Sequence, residues 1–310
     1  MTRLSEAWRQ AMSPADEREI WQWLNEEGEF PRGVYAVSGR FDVTSAPMTR
    51  DVFRALKSPI VRHVVVMAGV QCLKTLIGEG WLLWGIVNDP GPSQWLQPDD
   101  EEAREHSEER FVPLIENFPI VHKFYTENRF HKKTSFIRFK HMFLRVEGAA
   151  NRGNTQRKSI KNQMRSEVWQ GDKWPKGRLA EATSRTTQFV HNCKTYTESQ
   201  PGWHNDYNED EMHGAFLKGD QNVLQFACDG CRKLQPFLWD FKRKDGSRAA
   251  MRWDETDRTR RENGEWRWNE LRQTVRYECI HCGHRLNNWS VAQQLTLLKA
   301  KAEKKEGDYG

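Results

Sequence analysis

A chain of 310 residues with 37% hydrophobic content can bury one large domain and a smaller one. No apolar run approaches the roughly 18 to 20 residues that a bilayer-crossing helix needs, which excludes a helical membrane span. Lys and Arg number 48 against 43 Asp and Glu, a net charge of only +5, but the basic residues are unevenly spread.

In chain order, Ser13-Pro14-Ala15-Asp16 supplies a capping Ser, a Pro at the first helical position and an acid three residues after the cap, predicting a helix over 14–27. Its apolar face is Ile20, Trp21, Trp23 and Leu24. A Gly/Pro-rich stretch over 28–46 precedes a short amphipathic helix over 49–56. The β-branched run Val61 to Met67 predicts a buried strand, leading through a loop into a helix over 74–87. A short strand over 94–97 ends at Pro98, and Asp99 or Asp100 caps a helix reaching Ile115. Strand, helix, strand, helix in this order predicts a mostly parallel sheet with crossover helices. Beyond it come a strand or hairpin over 134–146, a polar loop over 148–155, a turn region over 169–175, a helix over 177–186 and a strand over 192–197. Asp240 to Gln273 is dense in charge, Arg and Trp and reads as an exposed excursion, and 290–305 reads as a helix with Ala292, Leu295 and Leu298 on one face.

From Arg129 to Arg165 there are eleven Lys or Arg residues and one acid, Glu147, with Phe130, Phe136, Phe139 and Phe143 interleaved. That pattern suits a surface tracking a phosphate backbone, and equally a solvated face on a hairpin. The fourteen Trp residues are expected mostly as packing anchors.

Met67 to Thr75 lies between the β-branched strand and a helix, the context of a phosphate-binding loop. There Lys74 would reach the β and γ phosphates, Thr75 would offer its hydroxyl to Mg²⁺, and backbone N–H groups would cradle phosphate oxygens. Ala68 and Leu73 occupy the two usual glycine positions. A Cβ is costly wherever such a loop turns left-handed, so an ordinary strand-to-helix turn is the competing reading.

Cys228-Asp229-Gly230-Cys231 and Cys279-Ile280-His281-Cys282 repeat CxxC, the spacing a tetrahedral zinc ion needs. Two such turns face to face supply four thiolates at about 2.3 Å from one metal, closing the coordination sphere and making the site structural. Gly230 and Gly283 are expected to relieve the turns. Disulfides are the alternative, opposed by the absence of a secretory signal. Cys72 and Cys193 have no CxxC partner and are expected as buried, reduced thiols.

The loop Gly69-Val70-Gln71-Cys72-Leu73-Lys74-Thr75, the run Trp95 to Glu105 and the cysteine pairs together resemble the large terminase subunit of tailed phages, the lambda-like GpA group. The resemblance extends from about Ser45 through the cysteine module. Gly69, Gln71, Lys74 and Thr75 match the family's loop, with Leu73 in place of a glycine. Arg165-Ser166-Glu167-Val168-Trp169 resembles the family's Walker B segment: Glu167 matches the acid that polarises the attacking water, and Ser166 replaces the Asp that orders Mg²⁺. Glu181 to Thr187 and Glu198 to Gly202 resemble the helix and coupling segment that follow, implying that Ser199 and Gln200 sense the γ-phosphate. Gly219-Asp220-Gln221 resembles the family's approach to its zinc ribbon.

The resemblance implies an α/β fold: a RecA-like P-loop ATPase core with a mostly parallel sheet, plus a small four-cysteine zinc-ribbon module. The corresponding divisions are an N-terminal helical segment (1–45), the ATPase-like domain (46–222), the zinc ribbon with its charged insertion (223–289), and a C-terminal helix and tail (290–310). It implies ATP, Mg²⁺ and structural Zn²⁺ as cofactors and a motor that packages double-stranded DNA. Its implied partners are the small terminase subunit, the capsid portal and further copies of the chain, in the cytoplasm of a bacterial host and with no membrane. Related large subunits continue into a nuclease. Because this chain stops at Gly310, soon after the cysteine module, nuclease activity is not expected in it. The leading alternative is a zinc-ribbon DNA-binding or assembly protein that keeps this fold without hydrolysing ATP; a helicase-like remodeller with the same core is another.

Overall fold

The computed structural model describes residues 16–35, 38–44, 46–126, 132–133, 135–156, 158–202, 210–286 and 295–298. These fall into two compact units, one comprising the described residues to Gly219 apart from 44–48, the other comprising 44–48 and the residues from Asp220 onward.

In the first unit, helix α1 (Ile20–Glu27) starts later than Pro14 suggests. Asp16 accepts hydrogen bonds from the backbone and side chain of Arg18, which also pairs with Glu26 and Glu27, so residues 16–18 form a charged bend instead of a first turn. Ser13 to Ala15 lie outside the described residues. Ile20, Trp23 and Leu24 are fully buried. They join Phe30, Phe41, Phe118 and, from α2 (Thr49–Lys57), Phe53 in an aromatic-rich cluster continuous with the main core.

The main sheet has seven strands: β1 (His63–Met67), β2 (Ser93–Gln97), β3 (Lys132–Lys133), β4 (Phe136–Arg138), β5 (Phe143–Gly148), β6 (Asn162–Ser166) and β7 (Lys194–Ser199), in the order β1-β7-β6-β2-β5-β4-β3. The first five in that order run parallel; β4 and β3 continue the edge antiparallel. Helix α3 (Lys74–Asn88) crosses from β1 to β2 over one face. A Cβ on its Gly78 would sit 2.3 Å from Met164 and 2.9 Å from Tyr196, and one on Gly80 would sit 2.7 Å from Leu24. Those two glycines let α3 press directly against β6, β7 and α1. The parallel arrangement brings the C-terminal ends of β1, β6 and β7 to one edge, where open α/β sheets bind ligands.

Strand β6 is polar for a central strand, and the sheet explains it. Met164 faces the apolar core, whereas Gln163 and Arg165 face the other way into a buried hydrogen-bonded ladder. Gln94 Nε2 donates to Glu147 at 2.9 Å, Gln163 Nε2 to Gln94 Oε1 at 2.9 Å, and Arg165 Nε to Gln163 Oε1 at 2.7 Å. Burial pushes the Arg165 guanidinium down to about 9, and among the described residues no carboxylate pairs with it. Each member of this ladder thus has a hydrogen-bond partner within it, which removes most of the penalty of desolvation.

The long helix expected after Asp99 is interrupted. Asp99 does cap α4 (Asp100–His106), accepting from the Glu102 N–H at 2.8 Å, but residues Ser107–Phe111 form a π turn before α5 (Val112–Glu116). Pro113 is the cause: it has no N–H and its ring clashes with the carbonyl a turn earlier, which a widened turn relieves. Helix α6 (Pro119–His122) follows. Helix α7 (Arg178–Thr183) also ends early, tightening to a 3₁₀ turn over Ser184–Phe189. There the hydroxyls of Ser184, Thr186 and Thr187 donate to carbonyls three residues back, competing with the α ladder. Helix α8 (Glu211–Leu217) closes the unit.

The second unit contains the sheets β10-β11-β12-β13 and β14-β8-β9. Their strands are β8 (Val223–Ala227), β9 (Leu234–Pro236), β10 (Asp240–Lys242), β11 (Arg248–Arg252), β12 (Arg276–Glu278), β13 (Arg285–Leu286) and β14 (Leu295–Leu298), with α9 (Trp268–Arg272) before β12. Two expectations change here. The charged excursion is partly folded: β10 and β11 form a hairpin, and β11 pairs with β12. Leu295–Leu298 pair antiparallel with Val223–Phe226 instead of continuing a helix, and the rest of 290–305 lies outside the described residues. Phe226, Ala250, Tyr277 and Leu286 form the unit's small core.

Candidate functional site

The loop after β1 has the curl its surroundings suggest. Gln71 and Leu73 are left-handed, at φ 57° and φ 60°. Leu73 therefore adopts the conformation for which a glycine is usual, at a cost of about 1 to 2 kcal/mol, and its side chain packs against the core cluster in partial return. Ala68 is not left-handed, so the other missing glycine carries no such penalty. The Ala68 N–H donates to the Ser199 carbonyl at 3.0 Å, tying the loop to the end of β7. Lys74 is buried, its Nζ donating to the Gly69 carbonyl at 2.8 Å, and the Tyr196 hydroxyl donates to the Lys74 carbonyl at 2.7 Å. Cys72, expected to be buried, is exposed on this loop; Cys193 is buried.

Facing the loop are the ends of β6 and β7. Ser166 and Glu198 are register partners on these parallel strands. Ser166 Oγ accepts from the Trp95 indole at 2.9 Å. Glu167 follows at φ 53°, its N–H donating to the Glu198 carbonyl and its carboxylate accepting from the Trp169 indole at 2.7 Å. Ser199 Oγ accepts from the Trp169 N–H at 3.0 Å and donates to the Gln200 carbonyl at 2.7 Å. Gln200 takes part here through that carbonyl. Thr75, Ser166, Glu167 and Glu198 help line a cleft of about 310 Å³, together with His106 and Arg110. The last two also hold the fully buried Glu79 of α3, at 2.9 Å and 3.4 Å.

Glu198 is the residue that sequence reasoning passed over. It is fully buried, and Thr75 Oγ1 donates to its Oε1 at 3.2 Å. Burial, and then the neighbouring Glu167 carboxylate, push its pKa up to about 7 against the opposing pull of the Ser166 hydroxyl, the Lys74 ammonium and the Thr75 hydroxyl. The available signal was an acid directly before Ser199 on a strand otherwise made of Thr, Tyr and Lys. A hydroxyl, two carboxylates and a water-accessible cleft form a donor set suited to a hard divalent cation such as Mg²⁺.

Five members of the basic run are engaged inside the unit. Lys158 and Arg145 pair with Glu147, Lys161 pairs with Asp89, Arg152 pairs with Glu181, and Arg165 belongs to the buried ladder. Arg145 also lies over the Phe136 ring at 4.7 Å. Arg138 and Lys140 remain exposed. Arg129, Arg157 and the side chains of Lys132 and Lys133 lie outside the described residues.

In the second unit Cys228, Cys231, Cys279 and Cys282 converge, all four sulfurs lying within 4.8 Å of one another. The Cys228–Cys282 and Cys231–Cys279 separations are both 3.8 Å. A tetrahedron with metal–sulfur bonds of about 2.3 Å has edges of roughly 3.8 Å, so these two edges match it and the cluster is compatible with a zinc ion. The residue after each pair is left-handed, Arg232 at φ 61° and Gly283 at φ 76°. Gly230 serves a different purpose from the one expected: a Cβ there would meet the His284 ring at 2.7 Å.

The family model described as phage terminase large subunit gpA, ATPase domain, matches residues 36–297. The chain belongs to that family. Among curated proteins none matches it. The crystal structure of the HK97 bacteriophage large terminase is similar at a TM-score of 0.46 and 13% identity, over 60% of this chain and 38% of that one. An arginine-to-alanine variant of the Thermus phage P74-26 large terminase ATPase domain gives a TM-score of 0.39 and 15% identity, over 51% of this chain and 66% of that one. The chain thus spans 38% of the length of the HK97 protein it matches. No helix among the described residues is long and apolar enough to cross a membrane.

Proposed function

We propose that the chain binds ATP with Mg²⁺ at the strand-end cleft of its first unit and hydrolyses it to drive double-stranded phage DNA into a capsid. The observation that carries this reading is the meeting of Lys74 and Thr75, at the start of α3, with acids at the ends of β6 and β7. Phosphoryl transfer needs positioning and charge neutralisation more than covalent help, so a small cast suffices. Bound Mg²⁺ would neutralise charge on the β and γ phosphates. Backbone N–H groups of the loop from Gly69 through Gln71 cradle phosphate oxygens, and Lys74 exchanges the Gly69 carbonyl for them. Glu167 orients the attacking water, with the Trp169 indole fixing the carboxylate's aim.

Ser199 and Gln200 relay the state of the site. Ser199 receives the Ala68 N–H through its carbonyl and the Trp169 N–H through its hydroxyl. A shift of the phosphate loop therefore reaches both the end of β7 and the segment after Glu167 through two hydrogen bonds. The four cysteines hold structural zinc. DNA contacts are mainly to phosphates and salt-dependent. The small terminase subunit, the portal and further copies of the chain complete the motor in the cytoplasm of the bacterial host.

The test is ATP turnover of the purified chain with and without duplex DNA, beside Lys74→Ala. The expected loss is about 100-fold or more, the scale for removing a group that stabilises transition-state charge. Equal background rates in both proteins would overturn the reading. They would favour instead an assembly protein on the same fold that binds DNA without turnover, a reading to which Ser166 and Leu73 give specific support.

A further inference from the structure

We propose that Glu198, at the end of β7, is the carboxylate that holds the nucleotide-bound magnesium ion, a charge carried one strand over from the end of β6. The inference rests on the nucleotide reading above and deepens it. Four observations support it. At the end of β6 stands Ser166, which has no charge to offer and is engaged by the Trp95 indole. Its register partner on the adjacent parallel strand is Glu198, and strands in a sheet lie about 4.8 Å apart. A carboxylate reaching from the second position can therefore occupy nearly the space of one reaching from the first.

Glu198 Oε1 is already within 3.2 Å of the Thr75 hydroxyl. A hydroxyl beside a carboxylate oxygen is the protein's share of a magnesium shell, the remainder being phosphate and water. The other oxygen, Oε2, is buried and accepts no hydrogen bond among the described residues, and the nearby Ser166 and Thr75 hydroxyls and the Lys74 ammonium offset the burial of the carboxylate only in part. A fully buried carboxylate oxygen left without a donor is costly, and a bound cation removes that cost.

Ser166 now has a positive reason to be there. An aspartate at 166 would put a third carboxylate beside Glu198 and Glu167, whose mutual repulsion is already felt at Glu198. One acid at the β6–β7 junction, on either strand, is enough; Glu167 remains the water-orienting group because its carboxylate is committed to Trp169.

The experiment is fluorescent ADP binding with Mg²⁺ and with EDTA, in the wild-type chain, Glu198→Gln, Glu167→Gln and the relocated pair Ser166→Asp/Glu198→Gln. In the wild type Mg²⁺ tightens binding. Glu198→Gln loses that gain by about 10- to 100-fold, the usual effect of disturbing a metal's protein partners, while binding in EDTA tightens because a negative charge facing the phosphates is gone. The relocated pair recovers most of the gain. A full Mg²⁺ gain in Glu198→Gln, or its loss in Glu167→Gln instead, would overturn the proposal alone. Failure of the wild type to bind nucleotide in either buffer would overturn the nucleotide reading itself. Should Glu198→Gln not fold, Fe²⁺ with ascorbate and peroxide on the wild-type chain with ADP provides a second measurement. Cleavage beside Thr75 and Glu198 supports the assignment, and cleavage beside Glu167 without a cut at Glu198 overturns it.

Discussion

The four-cysteine centre and the strand-end cleft both gather side chains from distant parts of the chain, but they are specified at different levels. Each CxxC pair is fixed by its own turn: Cys228 and Cys231 are placed by four consecutive residues, as are Cys279 and Cys282, and only one pairing of the two turns is then needed. In the cleft nothing local is sufficient. Thr75 meets Glu198 across 123 positions of sequence because α3 is pressed onto β6 and β7 and because β7 lies between β1 and β6. A site written in turns announces itself in spacing, whereas a site written in strand register can move a carboxylate to a neighbouring strand and still keep its geometry.

The two sites should therefore fail differently. Cys279→Ser removes one of four converging thiols from a small unit whose core cluster, among the described residues, is Phe226, Ala250, Tyr277 and Leu286 with a few partly buried neighbours. Structural zinc in small modules contributes about 10 kcal/mol or more to folding, so this is the largest effect expected. Metal analysis should show zinc falling from one equivalent to well below half, and limited proteolysis should open the segment from Asp220 to Leu286 while leaving the first unit protected. Unchanged protection throughout would mean that the second unit does not depend on a metal.

Gly78→Val attacks the cleft without touching any of its side chains. Even a bare Cβ at this position would come within 2.3 Å of Met164 and 2.9 Å of Tyr196, both fully buried on the strands that carry Ser166 and Glu198. Met164 can swing its thioether aside but Tyr196 cannot, since its hydroxyl is held by the Lys74 carbonyl. Overpacking of this kind costs about 1 to 3 kcal/mol. The melting transition of the first unit should fall by several degrees and nucleotide binding should weaken, because α3 and the ends of β6 and β7 no longer meet in register. Unimpaired nucleotide affinity at a lowered melting temperature would show that the cleft tolerates a displaced helix.

The same contrast explains what could be read in advance. The β-branched run of β1, the capping Asp99 and the CxxC spacing are local signals, and each anticipated its element. Strand β6 could not be recognised from composition because its polar residues are satisfied in a ladder that forms only on folding, Arg165 on Gln163 and Gln163 on Gln94 of the neighbouring strand. The π turn before Pro113 comes from that proline's ring and missing N–H, and the 3₁₀ turn after Thr183 from local hydrogen-bond competition, neither of which periodicity registers. The basic run between Arg129 and Arg165 is legible in sequence as charge, but the partners of four of its members, Glu147, Asp89 and Glu181, become neighbours only on folding. Glu198 was in plain view and went unread because its significance lies in Ser166 across the ladder.

Leu73→Gly is the smallest and most discriminating change. A leucine at φ 60° pays about 1 to 2 kcal/mol for its left-handed backbone, which glycine would recover. Glycine would also lose the apolar packing of Leu73 against the core and would give the unfolded chain more freedom, a cost of similar size. These contributions oppose one another, so the melting temperature should shift by no more than a few degrees. Nucleotide affinity should change by less than about fivefold, the equivalent of roughly 1 kcal/mol, because the side chain already packs away from the cleft and the loop already has the curl a glycine would permit. An affinity gain well beyond tenfold would reverse the argument. It would show that the leucine obstructs phosphate binding, that the loop is impaired by sequence although its backbone is correctly bent, and that register alone cannot sustain the site.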